Sequence, residues 1–251
     1  MSRLVHPEEV WGTVVVIDLR SAVHSEPILE SVRDEIVVFL HEVDRLFSTY
    51  KPESEISWLR TGQLSIEDAS LVVQEIWRLC LAAREYTEGA FDAWAARGGF
   101  DPSGYVKGWA ADRCLDLARK AGIEHVQINA GGDLSLLGGA APDEPWKIGI
   151  RHPDDENAIA QIVTLNEGAI ATSGTYERGA HIVDPATDLP ALGARSATVV
   201  GPDGGVADAL ATAVVVAGRD GAHWFVELSD YSAWVVDRHG DQTWAIGPAF
   251  S

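Results

Sequence analysis

Hydrophobic positions recur along this chain in two rhythms, one with the period of a strand and one with that of a helix. Residues 13–19 are mostly β-branched and read as a strand. Leu29, Val32, Ile36, Leu40, Val43 and Phe47 then recur at helical spacing and predict one long amphipathic helix ending near Ser48. Ser65 with Asp68 predicts the capped start of a second helix running to about Tyr86. A third helix is expected over 108–121, closed by Gly122, and a fourth over 206–217, ended by Gly218. Strands are expected at 125–130, 146–151, 161–165, 169–172 and 195–200, with two short ones at 233–237 and 243–246. Helices and strands interleaved in this way imply a layered α+β or α/β fold.

Composition narrows the picture. With 46% apolar and 23% charged residues, the 251-residue chain reads as an ordinary soluble globular protein, with core enough for one large domain or two small ones. Nineteen basic against 38 acidic side chains give a formal charge of −19, a surface that repels phosphate backbones and anionic lipids. Nucleic acid and membrane insertion are therefore not expected. Lys107 is conspicuous because the chain has only four lysines. Cys80 and Cys114 fall in helical patterns and read as buried structural thiols. Residues 1–10 carry His6, Glu8 and Glu9 and do not read as a signal peptide, and no lipobox-type cysteine follows. The longest apolar run, 206–217, contains Asp208 and is too short to span a bilayer. A cytoplasmic location is expected.

Several segments carry residues suited to chemistry. Asp208 and Thr212 stand at i and i+4, on one face of a predicted helix, and offer hard oxygen ligands of the kind Mg²⁺ prefers. An acidic helix start, with Thr212 bonding back to the Asp208 carbonyl, accounts for the same spacing. In 101–108, Asp101, a Pro-Ser-Gly turn and Lys107-Gly108 opening a helix fit a phosphate site, or a plain turn with a solvated lysine. Tyr50 follows the long helix and is placed either to stack on a ligand ring or to lid the core. The paired glycines between Asn129 and Asp133 allow backbone to approach a ligand closely, as a hairpin turn also would. Thr172, Ser173 and Gly174 read as a comparable turn at a strand end. A histidine's ordinary titration near neutrality suits His181 to act either as a general base or as a residue that orients its loop.

Read in order, five segments resemble the FAD:protein FMN transferases of the ApbE family. They are 47–57 (FSTYKPESEIS), 100–108 (FDPSGYVKG), 129–133 (NAGGD), 181–185 (HIVDP) and 207–213 (ADALATA). The resemblance covers nearly the whole chain. It implies a single two-lobed α/β (mixed α+β), T-fold-like ApbE domain over 1–251, with flavin bound between the lobes. It further implies Mg²⁺-dependent transfer of FMN from FAD to a Thr or Ser hydroxyl of an acceptor flavoprotein, with release of AMP. The alternatives are an FAD pyrophosphatase and a non-catalytic FAD-binding protein. The metal ligands it implies are Asp208, Thr212 and backbone at Ala211 and Gly104. The FAD contacts it implies are Trp11, Tyr50, Ala90, Phe91, Asp92, Asp101, Lys107, Asn129, Asp133, Thr172, Ser173, Gly174 and Ile182, with His181 and Asp208 in catalytic roles. The chain also departs from the family's pattern. Only eight residues, Ala93 to Phe100, separate Asp92 from Asp101 where relatives carry a long insert. Arg60 stands where an asparagine is usual, Trp11 where a methionine is usual, and Phe100-Asp-Pro-Ser replaces Leu-Asp-Leu-Gly.

Overall fold

The computed structural model describes residues 1–96, 98–153, 155–175, 182–238 and 242–250. In chain order the elements are β1 (Ser2–Val10), β2 (Thr13–Ser21), α1 (Glu26–Phe47), α2 (Glu55–Thr61), α3 (Leu71–Tyr86), α4 (Ser103–Lys120), β3 (His125–Ala130) and β4 (Asp133–Leu137). There follow β5 (Trp146–His152), β6 (Asp155–Leu165), β7 (Gly168–Gly174), β8 (Val183–Asp184), β9 (Leu189–Pro190), β10 (Ala194–Gly201), α5 (Gly204–Ala217), α6 (Trp224–Glu227), β11 (Ser232–Asp237) and β12 (Thr243–Ile246).

Eight strands form one antiparallel sheet in the order β1-β2-β3-β4-β7-β10-β11-β12. Strand periodicity sends alternate residues to opposite faces. One face presents Val15, Ile17, Val126 and Ile128 to α1 and α4, and Ala171, Val199, Ala233 and Val235 to α5 and its neighbours. On the other face Leu134, Leu136, Ile170, Val200 and Trp234 pack against Trp146, Ile150 and Val163 of the β5–β6 hairpin. Asp133, Ser135 and Ser173 have the parity that faces the helices. That placement positions the site.

The helix starts follow their capping chemistry. The Asp203 side chain accepts the Val206 N–H at 2.8 Å and so caps α5, which ends at Gly218 with φ of 61°. Asp208 therefore sits in the second turn and is not a helix-start residue. Ser65 and Asp68 bond each other at 2.9 Å, but they open a short 3₁₀ turn (Ile66–Asp68), and α3 begins only at Leu71. The helix expected from 108 begins at Ser103, so Lys107 lies within its second turn and does not open it. The strands at 169–172 and 161–165 extend to Gly168–Gly174 and Asp155–Leu165, which makes Thr172 to Gly174 part of β7 and not a turn beyond it. β1, β4 and α2 were not expected from the pattern. Cys80 and Cys114 are buried free thiols, as their positions predicted.

Candidate active site

The site forms where α4 crosses the start of α5 against β4 and β7. The crossing is close because glycine lies on both sides. A Cβ on Gly108 would stand 2.0 Å from the Gly204 carbonyl oxygen, and one on Gly205 would meet the Tyr105 ring at 2.4 Å. Backbone-to-backbone contact of this kind brings the first two turns of α4 beside the second turn of α5.

Five side chains and one backbone irregularity meet there. Lys107 Nζ, from α4, donates to Asp133 Oδ2 of β4 at 2.5 Å. The other Asp133 oxygen accepts the Thr172 N–H of β7 at 3.3 Å, and the Asp133 side chain is almost wholly buried. Asp208 is also buried, and its Oδ2 has no hydrogen-bond partner. Burial pushes the Asp208 carboxyl up to about 8; the Lys107 ammonium opposes this, the Asp133 carboxylate reinforces it, and the Gly108 N–H lowers it again. One turn on, Thr212 Oγ1 lies 3.1 Å from Ser173 Oγ. Gly104 completes the group. Its backbone departs from helical geometry (φ −84°, ψ 18°), and a Cβ there would meet Phe91 at 3.3 Å and Thr212 Oγ1 at 3.4 Å.

The sequence-predicted residues divide accordingly. Gly104, Lys107, Asp133, Ser173, Asp208 and Thr212 are brought together, with Phe91 against Gly104 and Ala211 buried on α5. Thr172 contributes its N–H, while its hydroxyl lies on the opposite face, 2.9 Å from Thr198 Oγ1. Asn129 accepts the Gly132 N–H at 2.9 Å and closes the β3–β4 turn. Asp101 accepts the Ser103 N–H at 3.0 Å at the start of α4. Asp92 accepts the Trp94 N–H and pairs with Arg84 at 2.9 Å, beside partly buried Ala90. Ile182 is buried in the core alongside α5, and Gly174 closes β7. Trp11 forms the β1–β2 turn with φ of 59°, packs on the core, and keeps a buried Nε1 without a partner. Tyr50 is 95% exposed and so is not a core lid. His181 lies outside the described residues.

Pattern reasoning missed Asp112 of α4, whose carboxylate bonds Ser135 of β4 and the N–H of Gly204 at the start of α5. Its spacing was a usable signal, since Asp112 follows Gly108 by one helical turn on the same face.

An all-oxygen set with one buried, unpartnered carboxylate oxygen fits a hard cation such as Mg²⁺. Among the described residues no group of three or more His, Cys, Asp or Glu side chains clusters as a metal site. Here the candidate set has a single carboxylate, Asp208, with the Thr212 hydroxyl one helical turn on. None of the described helices is long and apolar enough to cross a membrane.

Fold and site together define a mixed α/β protein with a buried carboxylate–lysine–hydroxyl centre at a helix crossing. The sequence pattern of the ApbE family matches residues 95–235, more than half of the chain, and the chain belongs to that family. The FAD:protein FMN transferase of Salmonella typhimurium is 33% identical over 162 residues, which is 60% of this chain and 46% of that protein. The Escherichia coli K12 protein of the same name is 32% identical over an equal span. The chain thus aligns with about half the length of these curated relatives. Among solved structures, the flavin transferase ApbE from Vibrio cholerae superposes with a TM-score of 0.86 at 23% identity, covering 99% of this chain and 98% of that one. The ApbE protein from Thermotoga maritima gives 0.88 at 23%, with the same coverage. At that identity the likeness establishes the fold.

Proposed function

We propose that this protein transfers FMN from FAD to a Thr or Ser hydroxyl of an acceptor flavoprotein and releases AMP, with Mg²⁺ held at Asp208. The observation that carries the reading is the buried, unpartnered Asp208 Oδ2 set beside the Lys107–Asp133 pair. A carboxylate in that position is costly to keep ionised unless a cation completes it. The names of the curated relatives supply the reaction.

Asp208 and Thr212, one turn apart on α5, would hold the cation with backbone oxygens of Gly104 and Ala211. When bound, Mg²⁺ neutralises charge on the phosphate oxygens of FAD. Lys107, held in place by Asp133, directs its positive charge to the pyrophosphate. The acceptor hydroxyl oxygen bonds to the phosphorus on the FMN side, the bridging P–O bond breaks, and AMP leaves with the bonding pair. Asp208 or His181, the latter by its place in the 181–185 segment, receives the hydroxyl proton. Trp11, Phe91 and Ile182 are assigned to apolar contact with the flavin, and Tyr50 or Trp11 to stacking on one of its rings.

The test incubates FAD and Mg²⁺ with the protein, with and without a candidate flavoprotein acceptor, and measures AMP release and acceptor-bound flavin. Release that requires the acceptor, and that Asp208→Asn abolishes, supports the transferase. Release without the acceptor replaces this reading with a pyrophosphatase, and no release in either case leaves an FAD-binding protein.

A further inference from the structure

We infer that Asp112 is the positioning residue of this site: its carboxylate fixes the relative placement of the three elements that supply Lys107, Asp133 and Asp208. The inference rests on the transferase reading above only for its catalytic readout.

The geometry is specific. Asp112 lies on α4, five residues after Lys107 and four after Gly108. Its Oδ1 accepts the Ser135 hydroxyl at 2.6 Å, and Ser135 is two residues beyond Asp133 on the same face of β4. Its Oδ2 accepts the N–H of Gly204 at 2.7 Å, and Gly204 opens α5 four residues before Asp208. One carboxylate therefore bridges the strand that holds Asp133 and the helix that holds Asp208, from the helix that holds Lys107.

The helix crossing needs such a bridge. Where α4 and α5 meet, Gly108 and Gly204 face each other with no room for a Cβ on either. At Gly108 and Gly204 neither helix contributes a side chain to the contact, so no side chain there fixes the register of one backbone on the other. Directed hydrogen bonds from a buried carboxylate add that constraint. A shift of about 1 Å between α4 and α5 would separate Lys107 from Asp208, and displacements of that size cost catalysis about 100-fold.

Burial lifts the Asp112 carboxyl to about 6 against the pull of Ser135 and the Gly204 N–H, and Asp203 and Asp116 push it the same way as burial. The remaining titratable groups facing it are Tyr105, Tyr231 and Cys114, all held well above neutrality by burial. No cation among the described partners accounts for keeping a charge here. The position holds a bridging acceptor at that cost.

The experiment compares wild type, Asp112→Ala, Asp112→Asn and Ser135→Ala in the full chain. It reads kcat and KM for FAD-dependent AMP release, and amide hydrogen exchange across 204–208 in the ligand-free protein. Asn keeps an oxygen for Gly204 and an N–H for Ser135, so it rescues. We expect Asp112→Ala to lower kcat by about 100-fold with KM for FAD changed less than about threefold, and to speed exchange at 204–208. Asp112→Asn should restore most of both, and Ser135→Ala should fall between wild type and Asp112→Ala. If Asp112→Ala does not fold, the Ser135→Ala and Asp112→Asn pair decides by the same two readouts. Unchanged exchange and kcat, or a loss that Asn does not rescue, overturns the assignment. If wild type releases no AMP under any condition, the transferase reading fails by itself, and exchange at 204–208 still judges the bridge.

Discussion

Asp112→Asn tests the burial of this carboxylate through the pH dependence of stability. In the folded protein, desolvation raises the Asp112 carboxyl from 3.8 to about 6, despite the hydrogen bonds from Ser135 and Gly204. The native state therefore binds this proton more tightly than the unfolded chain does. The associated stabilisation is fully present below about pH 4 and is lost as pH rises through about 6. The interval from 3.8 to about 6 is about two units, and at 1.36 kcal/mol per unit the swing is about 3 kcal/mol. Asparagine has no such swing. Wild type should therefore lose about 3 kcal/mol relative to Asp112→Asn between about pH 4 and pH 7. Urea denaturation of both proteins at several pH values in this range measures it, because contributions from the other carboxylates cancel in the difference. A difference that stays constant with pH refutes the reasoning, and so does wild type gaining on the mutant as pH rises.

Three other outcomes are expected. Gly108→Ala forces a Cβ to within 2.0 Å of the Gly204 oxygen and 2.3 Å of its carbon; both are backbone, so the helices must separate, and thermal unfolding should show a loss of about 3 kcal/mol. An unchanged melting temperature would refute the close crossing. Lys107→Ala should weaken FAD far more than riboflavin in fluorescence titrations, because its ammonium acts on the pyrophosphate; equal losses would remove it from the phosphate site. FAD and Mg²⁺ should bind cooperatively in calorimetric titrations, since Asp208 offers the cation a single carboxylate; FAD affinity indifferent to Mg²⁺ would move the metal elsewhere.

Much of the fold was legible because burial imposes period on sequence. α1 was found from six apolar positions, and β3 and β12 were predicted to the residue. What escaped detection had weak burial signals. β1 is an edge strand whose residues are mostly half or fully exposed, with Val10 alone buried, so its alternation lacks an apolar phase. β4 is buried throughout, and its Asp133-Leu-Ser-Leu-Leu run gives no alternation to follow after a glycine turn. The early start of α4 was hidden behind Pro102 and Gly104, residues that usually mark turns, and the helix does break its geometry at Gly104.

The site was legible only where its partners are close in sequence. Asp208 and Thr212 share a helix face, so the i, i+4 rule alone places them together. Lys107 and Asp133 are 26 residues apart, and Gly204 bonds an aspartate 92 residues upstream. No local rule pairs them; the sheet register and the glycine crossing do. The proposed function asks a chain of net charge −19 to bind an anionic dinucleotide, and the charges at this centre bear on that. Lys107 pairs directly with Asp133 and also draws the Asp208 carboxyl down against burial, which still leaves that carboxyl raised to about 8. Protonated, Asp208 is neutral and adds no repulsion. Ionised, it repels a pyrophosphate unless a cation sits between them. On the transferase reading proposed above, that one buried carboxylate would therefore couple the binding of metal and nucleotide.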